Sequence, residues 1–263
     1  MLIVLGRRPL GRAAPRRRLE QRLEALPPGR GLIFVHGGGW VAGTLDGYDH
    51  LCLRLSREAQ ATVVSVDYRL APEHPFPAAL EDCCAAVLWV QGNRDELGIS
   101  TGQLTIAGSS AGGNLALATS LKLRDAGTPA ASRQILIYPL VRARAAGSGY
   151  AVPPGPAEKV TGELLAWYWR RYLTKDADYD DPLAAPLNAT GLAGLPTALV
   201  LLAGRDPLLA EGLELGERLS RLDPGTQVRT YRDQPHGFVT SSPGCGDTSD
   251  AYDRIREFVT SQA

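Results

Sequence analysis

Three side chains of this sequence are of the types that together carry out nucleophilic acyl transfer. Ser110 lies at the centre of the pattern Gly108-Ser109-Ser110-Ala111-Gly112, Asp206 follows a long apolar run, and His236 lies further along the chain. A serine hydroxyl attacks an acyl carbon when a histidine removes its proton and an acid orients the imidazole. The chain order of serine, acid and histidine therefore predicts a catalytic triad of Ser110, Asp206 and His236.

The segments around Ser110 predict a sharp turn between a strand and a helix. Residues 104–107 form a short apolar run, and residues 113–121 are typical of a helix. In such a turn the flanking glycines remove Cβ atoms that would clash, and the serine stands clear of the backbone at the helix N-terminus. Free N–H groups at that end favour a developing negative charge. Because G-x-S-x-G alone is a common pattern, a tight turn that only opens a buried helix is the alternative.

A run of three glycines follows the first predicted strand. The strand covers residues 31–35, and His36-Gly37-Gly38-Gly39-Trp40 comes directly after it. Glycines at this place bring bare backbone N–H groups close to a ligand, where they can stabilise an oxyanion. Gly37, Gly39 and Ala42 also match a dinucleotide-binding fingerprint, but that motif requires a helix directly after the glycines. Residues 43–47 are mostly loop formers, so we disfavour the nucleotide interpretation.

The elements that must position these motifs alternate between strand and helix along the chain. Strands are predicted at residues 31–35, 62–66, 104–107, 134–138, 196–203 and 227–231. Helices are predicted at residues 46–60, 78–91, 113–121, 163–172 and 247–261. This alternation is typical of an α/β fold with a parallel sheet covered on both faces. Each candidate triad residue comes just beyond a predicted strand end, so the three are expected at one edge of the sheet.

The alternation is interrupted after residue 139. Residues 142 to about 181 contain a stretch rich in glycine and proline, followed by the aromatic helix at residues 163–172. We interpret this segment as a small cap inserted across the carboxyl edge of the sheet, where α/β proteins bind ligands. Trp167 and Trp169 are candidates for facing a pocket. The alternative is that these aromatic side chains only pack the cap onto the body.

The first 30 residues differ from the rest in composition. Six arginines precede the first acid, Glu20, and the segment closes with Pro27-Pro28-Gly29. An arginine-rich start without serine is not typical of a transit peptide, and the apolar run at residues 2–5 is too short for a signal peptide. We expect residues 1–30 to be an arm that is disordered or forms part of the cap. Residues 31–263 are expected to form one catalytic domain.

The composition disfavours several classes of partner. The 263-residue chain has a formal net charge of zero, which gives no electrostatic case for binding nucleic acid or an anionic membrane. No apolar segment is long enough to span a bilayer. Its four cysteines lack C-x-x-C spacing, which indicates free thiols in the cytoplasm rather than a disulfide framework or a zinc site. We expect no metal and no cofactor, and the sequence leaves open whether the protein forms a homodimer.

At these motifs the sequence resembles the hormone-sensitive-lipase-like carboxylesterases of the α/β-hydrolase superfamily. The resemblance covers about residues 31–260 and lies in HGGG at 36–39, DYRLAPE at 67–73, GSSAGGN at 108–114, DPL at 206–208 and HGF at 236–238. It implies an α/β-hydrolase fold with a small cap and a serine carboxylesterase activity. It also implies an oxyanion hole made by the backbone N–H groups of Gly38, Gly39 and Ala111. The chain departs from the family in having Ser109 where aspartate is usual and in its shorter N-terminal region.

A small cap limits the substrates that the chain is expected to accept. It can cover a short acyl chain, and each CH₂ group adds about 0.8 kcal/mol of binding only while it is covered. We therefore expect hydrolysis of small-molecule esters with short acyl chains. An amidase or lactonase with the same triad is one alternative, and a non-catalytic ligand-binding protein on the same scaffold is another.

Overall fold

A single parallel sheet organises the chain. The computed structural model describes residues 2–5, 29–128, 131–143, 150, 160–241 and 245–261. Within them the strands are β1 Leu2–Leu5, β2 Gly29–Val35, β3 Ala61–Val66, β4 Ile99–Ser109, β5 Arg133–Ile137, β6 Thr197–Arg205 and β7 Gln227–Pro235. These seven described strands are paired in the order β1-β3-β2-β4-β5-β6-β7, and every pair is parallel. Parallel pairing directs the carboxyl ends of all these strands to one edge.

Helices cover both faces of the sheet, as the alternation predicts. Within the described residues they are α1 Leu45–Glu58, α2 Ala78–Gly92, α3 Arg94–Leu97, α4 Ala111–Asp125, α5 Gly162–Tyr172, α6 Leu209–Leu222, α7 Phe238–Ser241 and α8 Gly246–Thr260. Successive side chains of a strand point to opposite faces, so Ile33 and Val35 of β2 join a cluster with α2, α4 and α6. Leu32 and Phe34 join a second cluster with α1 and α8. None of these described helices combines the length and apolarity needed to cross a membrane.

Two elements of the sheet layer differ from the sequence-based expectation. Residues 2–5, expected within an N-terminal arm, form the edge strand β1 beside β3. Their apolar composition suits a strand, but a four-residue run has too little pattern to predict one. Residues 6–28 lie outside the described residues. For α6 the sequence predicted at most a start, with Asp206 as a possible helix cap before Pro207, and no bounds, because Gly212 and Gly216 lower the helix propensity. Gly212 packs closely on the sheet, since a Cβ atom on it would come 2.4 Å from the side chain of Leu202 on β6.

The structure describes the second half of the predicted cap, from residue 160 onward. The predicted aromatic helix is α5, and Thr161 caps it by accepting a hydrogen bond from the N–H of Leu164 at 3.2 Å. Residues 144–149 and 151–159, where the cap was expected to begin, lie outside the described residues. The Asn114 side chain on α4 donates to the carbonyls of Leu140 and Ala184, both at 2.8 Å. One buried amide thereby fixes both ends of the inserted segment against the helix that follows Ser110.

Candidate active site

Ser110 occupies a strained turn between β4 and α4. Its backbone has φ +57° and ψ −121°, a conformation that non-glycine residues rarely adopt. The flanking glycines make the turn sterically feasible. A Cβ atom on Gly108 would lie 2.1 Å from the carbonyl oxygen of Gly112, and one on Gly112 would lie 2.0 Å from that of Val35. The Ser110 N–H donates to the carbonyl of Ile137 at 2.8 Å, which ties the turn to the end of β5.

The structure brings Ser110, Asp206 and His236 into one hydrogen-bonded chain. The His236 Nδ1 atom lies 2.6 Å from Asp206 Oδ2, and its Nε2 atom lies 2.9 Å from Ser110 Oγ. A carboxylate can only accept, so Nδ1 carries the proton and Nε2 is left to accept from the serine hydroxyl. The Asp206 side chain is 1% exposed and that of His236 is 9% exposed. This is the arrangement and tautomer that a histidine needs to act as a general base.

Asp206 also holds the turn that carries it. Its second oxygen, Oδ1, accepts from the N–H of Leu208 at 2.9 Å, and its backbone carbonyl accepts from the N–H of Leu209 at 3.0 Å. One carboxylate therefore serves both the turn and His236, whereas the N-cap position of α6 is Leu208 and not Asp206. Because both oxygens are engaged, the carboxylate has a single well-defined orientation toward the imidazole.

The glycine run forms a loop that lies against the Ser110 turn. Gly38 and Gly39 have φ values of +117° and +60°, and the N–H of Ala42 donates to the Gly38 carbonyl at 2.9 Å. A Cβ atom on Gly37 would come 3.2 Å from the Cβ of Ser110. Within the described part of the chain, the N–H groups of Gly38, Gly39 and Ala111 donate no backbone hydrogen bond. Gly38 and Gly39 also line the cavity beside Ser110, so these N–H groups are the candidate donors for an oxyanion.

His36 and Tyr68 hold this glycine loop in place. The His36 ring is fully buried and stacks on Tyr68 at 4.3 Å between ring centroids. Its Nδ1 atom donates to the Gly37 carbonyl at 2.7 Å, and the Tyr68 hydroxyl donates to the His36 carbonyl at 3.0 Å. The loop that follows β3 contributes a further bond, from the N–H of Ala71 to the Trp40 carbonyl at 2.9 Å. The resemblance singled out this loop, but its contact with the glycine run is visible only in the structure.

A small cavity of about 160 Å³ opens beside Ser110 and His236. The walls are contributed by the glycine loop, the Ser110 turn, the cap, α1 and the segment after β7. The lining residues are Gly38, Gly39, Tyr48, Ser109, Ser110, Tyr138, Leu140, Val160, Leu165, Tyr168, His236, Gly237 and Thr240. Burial raises the pKa of both the Tyr48 and the Tyr138 phenol, so each remains neutral near neutral pH. Neither tyrosine stood out in the sequence, because neither belongs to a motif with characteristic spacing.

The cap residues that face the cavity are not the tryptophans singled out from the sequence. Trp169 is fully buried and packs on Trp40, with 4.4 Å between ring centroids. Trp167 is 37% exposed and lies under the Arg171 guanidinium. The cavity is lined instead by their neighbour Tyr168, whose ring lies so close to Gly39 that a Cβ atom there would be 2.2 Å away. The expectation for Trp167 and Trp169 is wrong, since α5 buries Trp169 in the core and turns Tyr168 toward the glycine loop.

The four cysteines lie outside this cavity, and all are free thiols. Burial raises the pKa of Cys52 to about 12 and raises the pKa values of Cys83 and Cys84. Cys245 differs from them because backbone N–H groups of Thr248 and Asp247 lower its pKa. Thiolate reactivity is therefore expected at Cys245 alone.

We expect alkylation of the native protein with iodoacetamide to leave the initial rate of ester hydrolysis within about 20% of the untreated value, because no thiol contacts the triad. Mass spectrometry should find one adduct, on Cys245. The control is the same treatment in urea, where all four thiols react. A large loss of rate that substrate prevents would place a cysteine in the cavity and contradict this prediction.

Comparison with known proteins gives the same fold. A family model described as the alpha/beta hydrolase fold matches residues 32–240. The carboxylic ester hydrolase LipN of Mycobacterium tuberculosis is 39% identical over 79% of this chain and 57% of its own length. The ethyl acetate hydrolase of Pseudomonas putida is 33% identical over 80% of this chain and 66% of its own length. The chain thus spans about three fifths of the length of the curated relatives that it matches.

Solved structures of esterases are also similar to this chain. A hyperthermophilic esterase from the archaeon Pyrobaculum calidifontis superposes with a TM-score of 0.82 at 39% identity, covering 88% of this chain and 76% of that one. A thermostable carboxylesterase, EstE1, from a metagenomic library gives a TM-score of 0.78 at 37% identity, covering 88% and 81% of the two chains. These likenesses confirm the predicted fold class.

Proposed function

The chain belongs to the α/β-hydrolase family, and from this premise we propose that it is a serine carboxylesterase that hydrolyses esters of short carboxylic acids. The observation that carries the proposal is the hydrogen-bonded chain from Asp206 through His236 to Ser110. A serine at a strained turn, a correctly protonated imidazole and free N–H donors beside them form the set that acyl transfer needs. The esterase names of the similar proteins support the same reaction class.

In the proposed mechanism, His236 acts twice. Its Nε2 atom takes the Ser110 proton as Oγ attacks the ester carbonyl, and it then gives this proton to the leaving alcohol. Asp206 stabilises the imidazolium that exists between these two transfers. Water next attacks the acyl-enzyme, and His236 removes a proton from the water and returns it to Ser110.

The proposed role of the glycine loop is to stabilise the negatively charged tetrahedral intermediate. When the carbonyl carbon becomes tetrahedral, its oxygen develops negative charge and is met by the N–H groups of Gly38, Gly39 and Ala111. Each such preorganised donor lowers the barrier by about 3 kcal/mol in comparable sites. His36 and Tyr68 matter here because they fix the loop before substrate arrives, so that the donors need no reorganisation.

The proposed preference for short acyl chains is supported by the small size of the cavity, about 160 Å³. Leu165 and Tyr168 of the cap bound it, so a longer chain extends past the covered apolar surface. The relative from Pseudomonas putida, named for ethyl acetate, supports a small ester as substrate.

The proposal is tested with p-nitrophenyl esters from acetate to laurate and with a fluorophosphonate probe. We expect kcat/KM to rise over the first few carbons and then to rise no further, and the probe to label Ser110 in one-to-one stoichiometry. Parallel assays on matched amides and lactones distinguish an esterase from the amidase and lactonase alternatives. Labelling without turnover of any ester would indicate a different acyl substrate, and neither labelling nor turnover would indicate a non-catalytic scaffold.

Tyr168 is expected to set the chain-length limit. Replacing it by alanine removes the ring that closes the cavity beside Gly39, so more methylene groups can be covered. Since each contributes about 0.8 kcal/mol, the ratio of kcat/KM for octanoate to that for butyrate should rise about tenfold. Trp167→Ala, one position earlier on the exposed face of α5, is the matched control and should leave this ratio unchanged. An unchanged ratio in Tyr168→Ala would place the chain-length limit elsewhere.

The cytoplasmic location and the oligomeric state are further parts of the proposal. The cytoplasm is supported by four free cysteines, three of them buried. Light scattering coupled to size-exclusion chromatography decides between a monomer and a homodimer.

A further inference from the structure

Tyr138 adjoins the chain segments of all three candidate catalytic residues, two through backbone hydrogen bonds and one through its ring. It directly follows Ile137, the last residue of β5, whose carbonyl accepts the N–H of Ser110 at 2.8 Å. The N–H of Tyr138 itself donates at 2.7 Å to the carbonyl of Leu201 on β6, the strand that leads to Asp206. The peptide between residues 137 and 138 therefore joins the serine turn to the acid-bearing strand.

The side chain of Tyr138 makes the third connection, to the histidine. Its ring lies 4.7 Å from the His236 imidazole between centroids, tilted by 55°, and is 2% exposed. It also packs 6.0 Å from the ring of Phe238, two residues after His236. Hydrogen bonds to Asp206 and Ser110 fix the two nitrogens of the imidazole in its own plane. The aromatic contact with Tyr138 restricts tilting of the imidazole ring out of that plane, a motion that the two hydrogen bonds restrict less.

The backbone of Tyr138 is strained in a way that argues for a function. Its φ is +36°, and the described residues contain only three other non-glycine residues with positive φ: Trp40, Gln60 and Ser110. Glycine adopts such a conformation without penalty, so a glycine would fit this position with less strain. Strained residues persist only where the surrounding structure over-determines them, and they cluster at active sites. At Tyr138 the strain coincides with the ring contact to His236.

We propose that Tyr138 is a positioning residue that holds the His236 imidazole in line between Asp206 and Ser110. This inference rests on the proposed function, because it assigns Tyr138 a role in the same hydrolysis. The ring acts on the proton transfers rather than on substrate binding. It keeps the imidazole aligned while the proton moves from Ser110 to the leaving group, and its π-electrons favour the imidazolium formed between those steps. Small misalignments of a catalytic base have large effects on rate.

The test separates turnover from binding. In Tyr138→Leu, kcat on p-nitrophenyl butyrate should fall about 10- to 100-fold while KM changes less than about threefold. Tyr138→Phe, which keeps the ring, should recover at least about half of the wild-type kcat. Tyr138→Gly provides a second ringless variant whose backbone accepts the positive φ without strain, so folded protein is expected even where leucine disturbs the turn.

Phe258→Leu is the matched control for loss of a buried ring. Phe258 lies on α8 in the same hydrophobic cluster as Tyr138 and is 3% exposed, but among the described residues the ring contact of His236 is with Tyr138 and not with Phe258. This variant should lose thermal stability with kcat near the wild-type value. Circular dichroism and thermal melts establish that each variant is folded at the assay temperature.

The outcomes are distinguishable from those of the proposed function itself. An active wild type with a normal kcat in a folded ringless variant would overturn the role of Tyr138 and leave the esterase proposal standing. An increase in KM without a decrease in kcat would also overturn it, because the ring would then serve binding. Wild-type protein that hydrolyses no ester in the series would instead remove the proposed function.

Discussion

Replacement of Ser110 by alanine is expected to lower kcat on p-nitrophenyl acetate by about 10⁶-fold. The reason is that Ser110 Oγ is the atom 2.9 Å from His236 Nε2 and is the nucleophile of the proposed reaction. His236→Ala should produce a loss of similar size. The double variant should be little worse than either single one, because members of a triad act as a unit. Single-turnover kinetics with purified variants measure these rates.

Ser109→Ala is the matched control for this prediction. Ser109 is the buried neighbour of Ser110 in the same motif, but its side chain is not part of the hydrogen-bonded chain to His236. We expect it to lose no more than about tenfold in kcat. Substantial residual activity in Ser110→Ala that remains sensitive to fluorophosphonate would mean that another serine is the nucleophile.

Asp206→Asn is expected to lower kcat by about 10⁴-fold with the fold intact. The asparagine carbonyl can take over the bond from the Leu208 N–H, which leaves its NH₂ group facing the imidazole. An NH₂ group donates, so His236 must then accept at Nδ1 and carry its proton on Nε2. In that tautomer Nε2 cannot accept the proton of Ser110.

Asp233→Asn is the control, since Asp233 is an exposed acid three residues before His236. It should leave kcat near the wild-type value. Thermal melts of the two variants should differ little from that of the wild type. Near-normal turnover in Asp206→Asn would show that the acid of the triad is another residue.

Strand-end motifs explain why much of the fold and the positions of the candidate residues were predictable. Strands such as β2 and β6 are buried on both faces, so they contain continuous apolar runs that are easily recognised. Parallel pairing then brings the residues after β4, β6 and β7 to one edge, whatever their distance along the chain. The contacts among Ser110, Asp206 and His236 follow from this geometry.

The cap and the supporting residues could not be predicted in the same way. Residues 167–169 are three consecutive aromatics, so they cover more than half of the circumference of α5 and give no periodic signal for its inner face. The rotation of the helix is fixed by burial of Trp169 against Trp40, a contact between distant parts of the chain. Tyr138 was predicted as the last residue of a strand, and its positive φ arises from tertiary contacts that propensity does not describe.

The bridge made by Asn114 has a consequence for how the substrate range of this scaffold can diversify. One amide nitrogen on α4 binds the carbonyls of Leu140 and Ala184, so the segment between them leaves and re-enters the body at a single point. The entropy of closing such a loop grows only with the logarithm of its length, about 0.6 kcal/mol for each doubling. The part of this segment that does not pack on the body can therefore change in length at little entropic cost while the nucleophile stays in place. Such changes must keep the contact of Trp169 with Trp40, which buries α5 in the core. Asn114 thus marks two fixed points between which insertion or grafting can alter substrate selectivity.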